Sequence, residues 1–222
     1  MGNSERVALH KMGVMARMAR EFYRRGWMWG TSGNLSVLLQ KEPRTFAITA
    51  SGVSKGELTE DDLVIVEASS VDPLEVKPVA DGHKKPSAES SIHAAIYQRV
   101  PRVGAVFHVH TISSTLVSER QPEAEGFGYL KVAGLEMLKG WGVWDGDEVK
   151  VPIFHNWPDA ERIADDVSGY LKTAPQAPVL LVRGHGVTAW GKDLEQAKNH
   201  LEVAEFLFQV LWQRQLKSKD FS

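Results

Sequence analysis

Two apolar runs that each end in histidine constrain this chain more than any other feature. The run Val103-Gly104-Ala105-Val106-Phe107 leads into His108-Val109-His110, a histidine pair at i and i+2. On a strand such a pair points to one face, with Cα atoms about 6.6 Å apart. Two imidazoles so placed reach one cation through metal–nitrogen bonds of about 2.0–2.1 Å. Taken alone, His-x-His fits equally a core histidine followed by a loop histidine. A second run, Pro178-Val179-Leu180-Leu181-Val182, ends in Arg183-Gly184-His185-Gly186 and sets one more histidine between two glycines. Glycine permits close backbone approach and positive φ. Two histidines from one strand end and a third from another describe a three-imidazole site with an open coordination position, the arrangement of a catalytic zinc rather than a structural one.

Composition narrows the ligand chemistry. There is no cysteine among the 222 residues, so disulfides and thiolate metal sites are excluded and a transition metal must be held by histidine and carboxylate. A formal net charge of −2 gives no global basic field to attract nucleic acid. With 43% hydrophobic and 24% charged residues the chain is ordinary for a globular protein, long enough for one substantial core. The N-terminus lacks a continuous apolar leader and no stretch reaches membrane-spanning length, so a cytoplasmic enzyme is expected.

Apolar spacing predicts a helix over 4–25, with Val7, Val14, Met18 and Phe22 on one face and Gly26 as its stop. Strands are expected at 35–39 and 45–49, paired as a hairpin, and at 63–66, with a turn at Val71-Asp72-Pro73. Ser87 suits the N-cap of a helix running to Arg99, and a helix is expected over 113–118. Residues 121–128 suit a polar loop, 135–139 a short helical piece, and Asp145-Gly146 a turn. Further strands are expected at 151–154, 179–182 and 187–190, with helices over 159–171 and 193–214. No repeat or linker interrupts the pattern, so a single α/β domain over 1–222 is expected. Between Leu201 and Trp212 only Glu202, Glu205 and Gln209 are polar. That arc is wider than a surface helix needs, and either deep burial in one chain or burial between subunits accounts for it.

The other histidines are weaker ligand candidates. His10 lies among basic residues, His83 in a lysine-rich loop, and His93 and His200 on helices; His155, after a strand, is an alternative ligand. Three turns suit an anion: Asn34, the pair Ser51-Gly52, and Ser87 at a helix start, where backbone N–H groups favour negative charge. Turns use the same residue types for conformation alone, so only convergence in space distinguishes the two. Lys55 either adds charge there or is solvated. Acid–base candidates are Glu89, near the start of the Ser87 helix, and Glu136, which a pairing with Lys139 at i+3 explains equally well. Trp27, Trp141 and Phe127 are large enough to line a pocket but suit core or interface.

Together these stretches resemble the class II aldolase family. The matching segments are Gly33-Asn34-Leu35-Ser36, Thr49-Ala50-Ser51-Gly52, Lys85-Pro86-Ser87-Ala88-Glu89, His108-Val109-His110 and Gly184-His185-Gly186, in the family's order across nearly the whole chain. Gly134-Leu135-Glu136-Met137-Leu138-Lys139-Gly140, Val151-Pro152-Ile153 and the segment from Val182 to Gly191 look most like the family's methylthioribulose-1-phosphate dehydratases. The resemblance implies a three-layer α/β/α sandwich on a largely antiparallel sheet. It implies a Zn2+ in each subunit, held by His108, His110 and His185, and a substrate phosphate held at Asn34, Ser51, Gly52 and Ser87. Glu136 then matches the dehydratases' acid–base residue and Glu89 the aldolases' carboxylate. Ala88 replaces a serine of the aldolases and removes one hydroxyl from the phosphate site. Homotetramers with active sites at subunit interfaces are also implied. An aldolase or epimerase acting on fuculose or ribulose phosphates is the alternative. A non-catalytic scaffold is a second, although scaffold relatives lack the metal ligands that remain here.

Overall fold

Along the central strands alternate side chains go to opposite faces of one sheet, and a separate apolar cluster forms against each face. The structure is a computed structural model and describes residues 2–69, 74–80, 82–119, 127–144 and 147–219. In chain order its elements are α1 (Asn3–Arg24), β1 (Asn34–Gln40), β2 (Arg44–Thr49), β3 (Leu63–Ala68), β4 (Val76–Pro78), α2 (Ser90–Arg99), β5 (Ala105–Val109), α3 (Ile112–Glu119), β6 (Phe127–Val132), β7 (Val149–Phe154), α4 (Ala160–Tyr170), β8 (Val179–Val182), β9 (Gly186–Gly191) and α5 (Leu194–Lys219). The strand order is β4-β3-β2-β1-β5-β9-β8-β7-β6. Every neighbouring pair is antiparallel except β7 with β8.

Helices cover both faces, giving three layers. Met15 and Phe22 of α1 and Leu201 and Phe208 of α5 pack on Leu35, Phe107 and Val187 on one side. Ile92 and Ile96 of α2 and Ile163 and Val167 of α4 pack on Phe46, Val106 and Trp190 on the other. This is the layered, mostly antiparallel architecture that the family resemblance implies. No described helix is long and apolar enough to cross a membrane.

Most elements lie where periodicity places them, and the departures have local causes. The helix expected from Ser87 begins at Ser90, with Glu89 in the cap position. Ser87 instead closes a preceding turn: its Oγ accepts from Glu89 N at 3.3 Å and its carbonyl from Ser90 N at 3.1 Å. The loop expected over 121–128 gives way to β6 at Phe127, where Gly128, Leu130 and Val132 face inward and Tyr129 and Lys131 outward. The other residues of that loop, 121–126, and the turns expected at Val71-Asp72-Pro73 and Asp145-Gly146 lie outside the described residues. The helical piece near 135–139 is a 3-10 turn over Glu136–Trp141. In α5, Leu201, Ala204, Leu207 and Phe208 are fully buried while Phe206 remains 46% exposed. Burial within the chain therefore accounts for most of that helix's apolar arc, and Phe206 stands outside it.

Candidate metal centre

The pairing of three central strands sets the centre. His108 on β5 lies opposite Asn34 on β1 and opposite Thr188 on β9, so these three side chains form one row across the sheet. Their neighbours Leu35, Phe107 and Val187 point to the α1–α5 face, which sends the row toward the α2 face. His110 follows β5 directly and keeps the direction of His108, its backbone N–H fixed by Trp27 O at 2.9 Å. His185 sits in the turn between β8 and β9. There Gly184 has φ of +60°, Gly184 N donates to Ser118 Oγ at 3.0 Å, and Thr115 Oγ1 donates to His185 O at 3.2 Å. Gly186 makes the approach possible: a Cβ there would lie 2.3 Å from Val109 O and 3.0 Å and 3.1 Å from the His108 and His110 rings.

The three imidazoles close on one point from separate segments. Ring centroids are 4.8 Å apart for His108 and His110, 4.9 Å for His108 and His185, and 4.4 Å for His110 and His185. Glu89, at the head of α2, brings Oε2 to 3.6 Å from His108 Nε2 and Oε1 to 3.5 Å from His185 Nε2. One nitrogen or oxygen from each of the four residues lies within 4.8 Å of the others. A tetrahedral ion with bonds of about 2.1 Å spaces its ligands about 3.4 Å apart, so this donor set fits a divalent cation.

Electrostatics favour the ligand form of the histidines. Burial, then the neighbouring His185 and His93 rings, hold His108 well below the ordinary histidine range. Burial, then His108 and His185, lower His110 to about 3. Both imidazoles are therefore neutral near pH 7, the form that binds a cation, and their Nε2 atoms meet each other at 2.9 Å. Thr188 Oγ1 meets His108 Nδ1 at 3.0 Å and leaves Nε2 as the inward nitrogen, as outer partners of metal-bound histidines commonly do. Asn34 Nδ2 donates to Glu89 Oε2 at 2.5 Å and orients that carboxylate, while Asn34 Oδ1 is buried without a partner.

The anion-binding candidates also converge. Ala50 pairs with Pro86 in an isolated bridge, and Ser51 N donates to Lys85 O at 2.9 Å. Exposed Ser51 and Gly52 are thus joined to the stretch holding Ser87, two residues from Glu89 and its bond to Asn34.

Glu136 is not brought to the centre of its own chain. Phe127 of β6 is level with Phe154, whose carbonyl is bound by Arg183 N near His185. From there β6 runs five residues, roughly 17 Å, away from the histidines before the chain reaches Glu136. The Glu136 side chain is 73% exposed and pairs with Lys139 at 3.2 Å. His155 does not join the cluster either; its ring lies 4.0 Å from that of Trp157. Trp141 packs in the α1–α5 cluster, with Trp27 against it, and Phe127 packs against the cluster on the other face.

One neighbour of the centre went undetected in the sequence, and the burial of a second residue was not foreseen. Thr188 is the polar residue of Val187-Thr188-Ala189-Trp190, and a lone hydroxyl in a fully buried strand is the signal that marks it. Lys55, left undecided above, is buried at 2% exposure, and a lysine inside a polar turn gives no hint of that.

Known proteins resemble this chain over most of its length. The family model described as class II aldolase and adducin N-terminal domain matches residues 14–212. The methylthioribulose-1-phosphate dehydratase of Microcystis aeruginosa is 44% identical over 87% of this chain and 90% of its own length. That of Persephonella marina is 39% identical over 86% of this chain and 84% of its own. The crystal structure of YgbL from Escherichia coli superposes with a TM-score of 0.74 at 26% identity, covering 93% of this chain and 90% of YgbL.

Proposed function

This chain belongs to the class II aldolase family, and from that premise we propose that it dehydrates 5-methylthioribulose 1-phosphate to 2,3-diketo-5-methylthiopentyl 1-phosphate. The observation that carries the proposal is the convergence of His108, His110 and His185 with Glu89 beside turns suited to a phosphate. The similarity to the named dehydratases supplies the substrate. On this reading residues 1–222 act as one domain, in the cytoplasm, within methionine salvage.

We assign the three imidazoles as ligands of a zinc ion. Bound there, the cation supplies Lewis acidity toward the C2 carbonyl oxygen. The residues do the rest. Asn34, Ser51, Gly52 and Ser87 grip the phosphate beside the N-terminus of α2 and fix C3 and C4 in place. Glu136 takes the C3 proton and returns a proton to the departing C4 hydroxyl, which leaves as water; the enol then relaxes to the diketone. Glu89, oriented by Asn34, is the second carboxylate at the reacting end.

Because β6 carries Glu136 away from its own histidines, this assignment requires the glutamate of a neighbouring subunit. Trp29 at 65% exposure, Ile112 at 70%, two residues beyond His110, and Phe206, which projects from α5, are large apolar side chains left in solvent, which supports a homotetramer with active sites between subunits. No partner besides a small sugar phosphate is implied.

The deciding experiment supplies purified, metal-loaded protein with methylthioribulose 1-phosphate and identifies the product. Diketone formation that vanishes on chelation and returns with zinc is expected. Retro-aldol fragments from fuculose or ribulose phosphates, with no diketone, would instead place the chain among the aldolases.

A further inference from the structure

Lys55 opens the 3-10 turn Lys55–Glu57, three residues after Gly52. Its side chain is buried, and its Nζ donates to Thr31 O at 2.6 Å, Thr31 standing three residues before Asn34. An ammonium carries three donors, and among the described residues this is its one hydrogen bond; no carboxylate there lies within ion-pairing distance. Among the described residues two donors of this buried cation thus have no partner, a costly arrangement unless a ligand completes it. Burial lowers the lysine to about 8 while the Glu89 carboxylate draws it back up. The His110 ring also feels the lysine's charge. Its anchor on Thr31 O, three residues before Asn34, and its own place three residues after Gly52 set the ammonium between two of the stretches proposed to hold the phosphate.

We propose that Lys55 is a substrate-contact residue, its buried ammonium anchored on Thr31 O and donating its two remaining N–H bonds to the phosphoryl oxygens of the bound sugar phosphate. This rests on the sugar-phosphate reading above and adds to it a full positive charge that the hydroxyl and amide contacts do not supply. A dianion is the ligand that best offsets a desolvated cation, and charge-assisted bonds to phosphate are the strong ones.

The test uses the full-length, metal-loaded protein and two probes, 2-phosphoglycolate and glycolate, titrated calorimetrically into wild type and Lys55→Met. Methionine keeps the length and removes the buried charge. Expected are unchanged metal content, a Tm no lower than that of wild type, a 2-phosphoglycolate affinity about 10- to 100-fold weaker, and an unaltered glycolate affinity. In turnover, KM rises with kcat nearly constant. Where Lys55→Met fails to fold, Lys55→Gln is read in its place. An unchanged preference for 2-phosphoglycolate over glycolate overturns the proposal, whatever happens to Tm, since a loop staple alone gives that result. Equal weakening of both probes overturns it too, by moving the effect to the cation. A wild type with no preference for the phosphorylated probe removes the sugar-phosphate reading itself, and Lys55's role with it.

Discussion

At Gly186 the gap left by a missing methyl group is what lets three imidazoles meet. A Cβ there would stand 2.3 Å from a backbone oxygen, which cannot swing aside as a side chain can. Gly186→Ala should therefore separate β9 from β5 at the centre. Expected are a folded protein with zinc stoichiometry, measured by elemental analysis, well below that of wild type and turnover reduced at least 10-fold. An alanine variant with full metal and full activity would show that the approach is slack. The sequence carried this part well: His108, His110 and His185 stand out because each follows an apolar strand, and the glycines around His185 announce a close turn. It carried Lys55 poorly, because the carbonyl that holds its ammonium belongs to Thr31, 24 positions away along the chain. Asn34 and Glu89 were legible as separate candidates, but their hydrogen bond joins residues 55 positions apart and no spacing rule predicts it.

Helix α2 carries a pH dependence of its own. His93 is fully buried beneath it, with Nδ1 2.7 Å from Ser36 Oγ, which in turn lies 2.8 Å from the Tyr97 hydroxyl. Its Nε2 has no partner. Burial depresses this histidine to about 4, against a partial opposing pull from Glu89. The unfolded chain, with its ordinary value near 6.5, then binds protons more readily than the folded one. Stability attributable to His93 is thus complete above pH 6.5 and declines as pH falls toward 4, by up to about 1.4 kcal/mol per pH unit. Denaturant midpoints measured between pH 7.5 and 4.5 should fall more steeply than one group alone explains, since His108 and His110 are also held neutral, and His93→Gln should remove one group's share of that slope. An identical slope in the variant would mean that the ring is not held neutral by the fold. At this scale periodicity located most helices and strands, since α1 and the central strands each bury one regular stripe or run. It misplaced the start of α2 because Ser87 satisfies a turn with the same hydroxyl a cap would use. It missed β6, where Gly128 next to a polar stretch looked like loop although the pleat packs it inward.

For the whole molecule the position of Glu136 is decisive. Its own strand delivers it to solvent beside Lys139, so the acid–base role proposed for it requires a second copy of the chain. Light scattering should then report a tetramer, and two separately inactive variants should rescue one another. Glu136→Gln and His110→Ala, unfolded together and co-refolded at equal ratio, are expected to recover about a quarter of wild-type activity, the fraction of sites that draw both intact residues from different subunits. No recovery from a properly assembled mixture would confine catalysis to one chain and take Glu136 out of it. Composition and pattern could not foresee this arrangement, because they do not reveal which end of the sheet a residue occupies.

The two borders of the sheet set how copies can meet. On one side β4 is three residues long, holds Pro78 and displays the largely solvated Lys77; on the other β6 displays Lys131 paired with Glu148. A ring nitrogen without hydrogen and cationic side chains make poor templates for an incoming strand. Association by ladder extension, the route that leads to fibrils, is thereby discouraged at both margins. What is left for self-association is the helical and loop surface, where contacts can close into a finite ring.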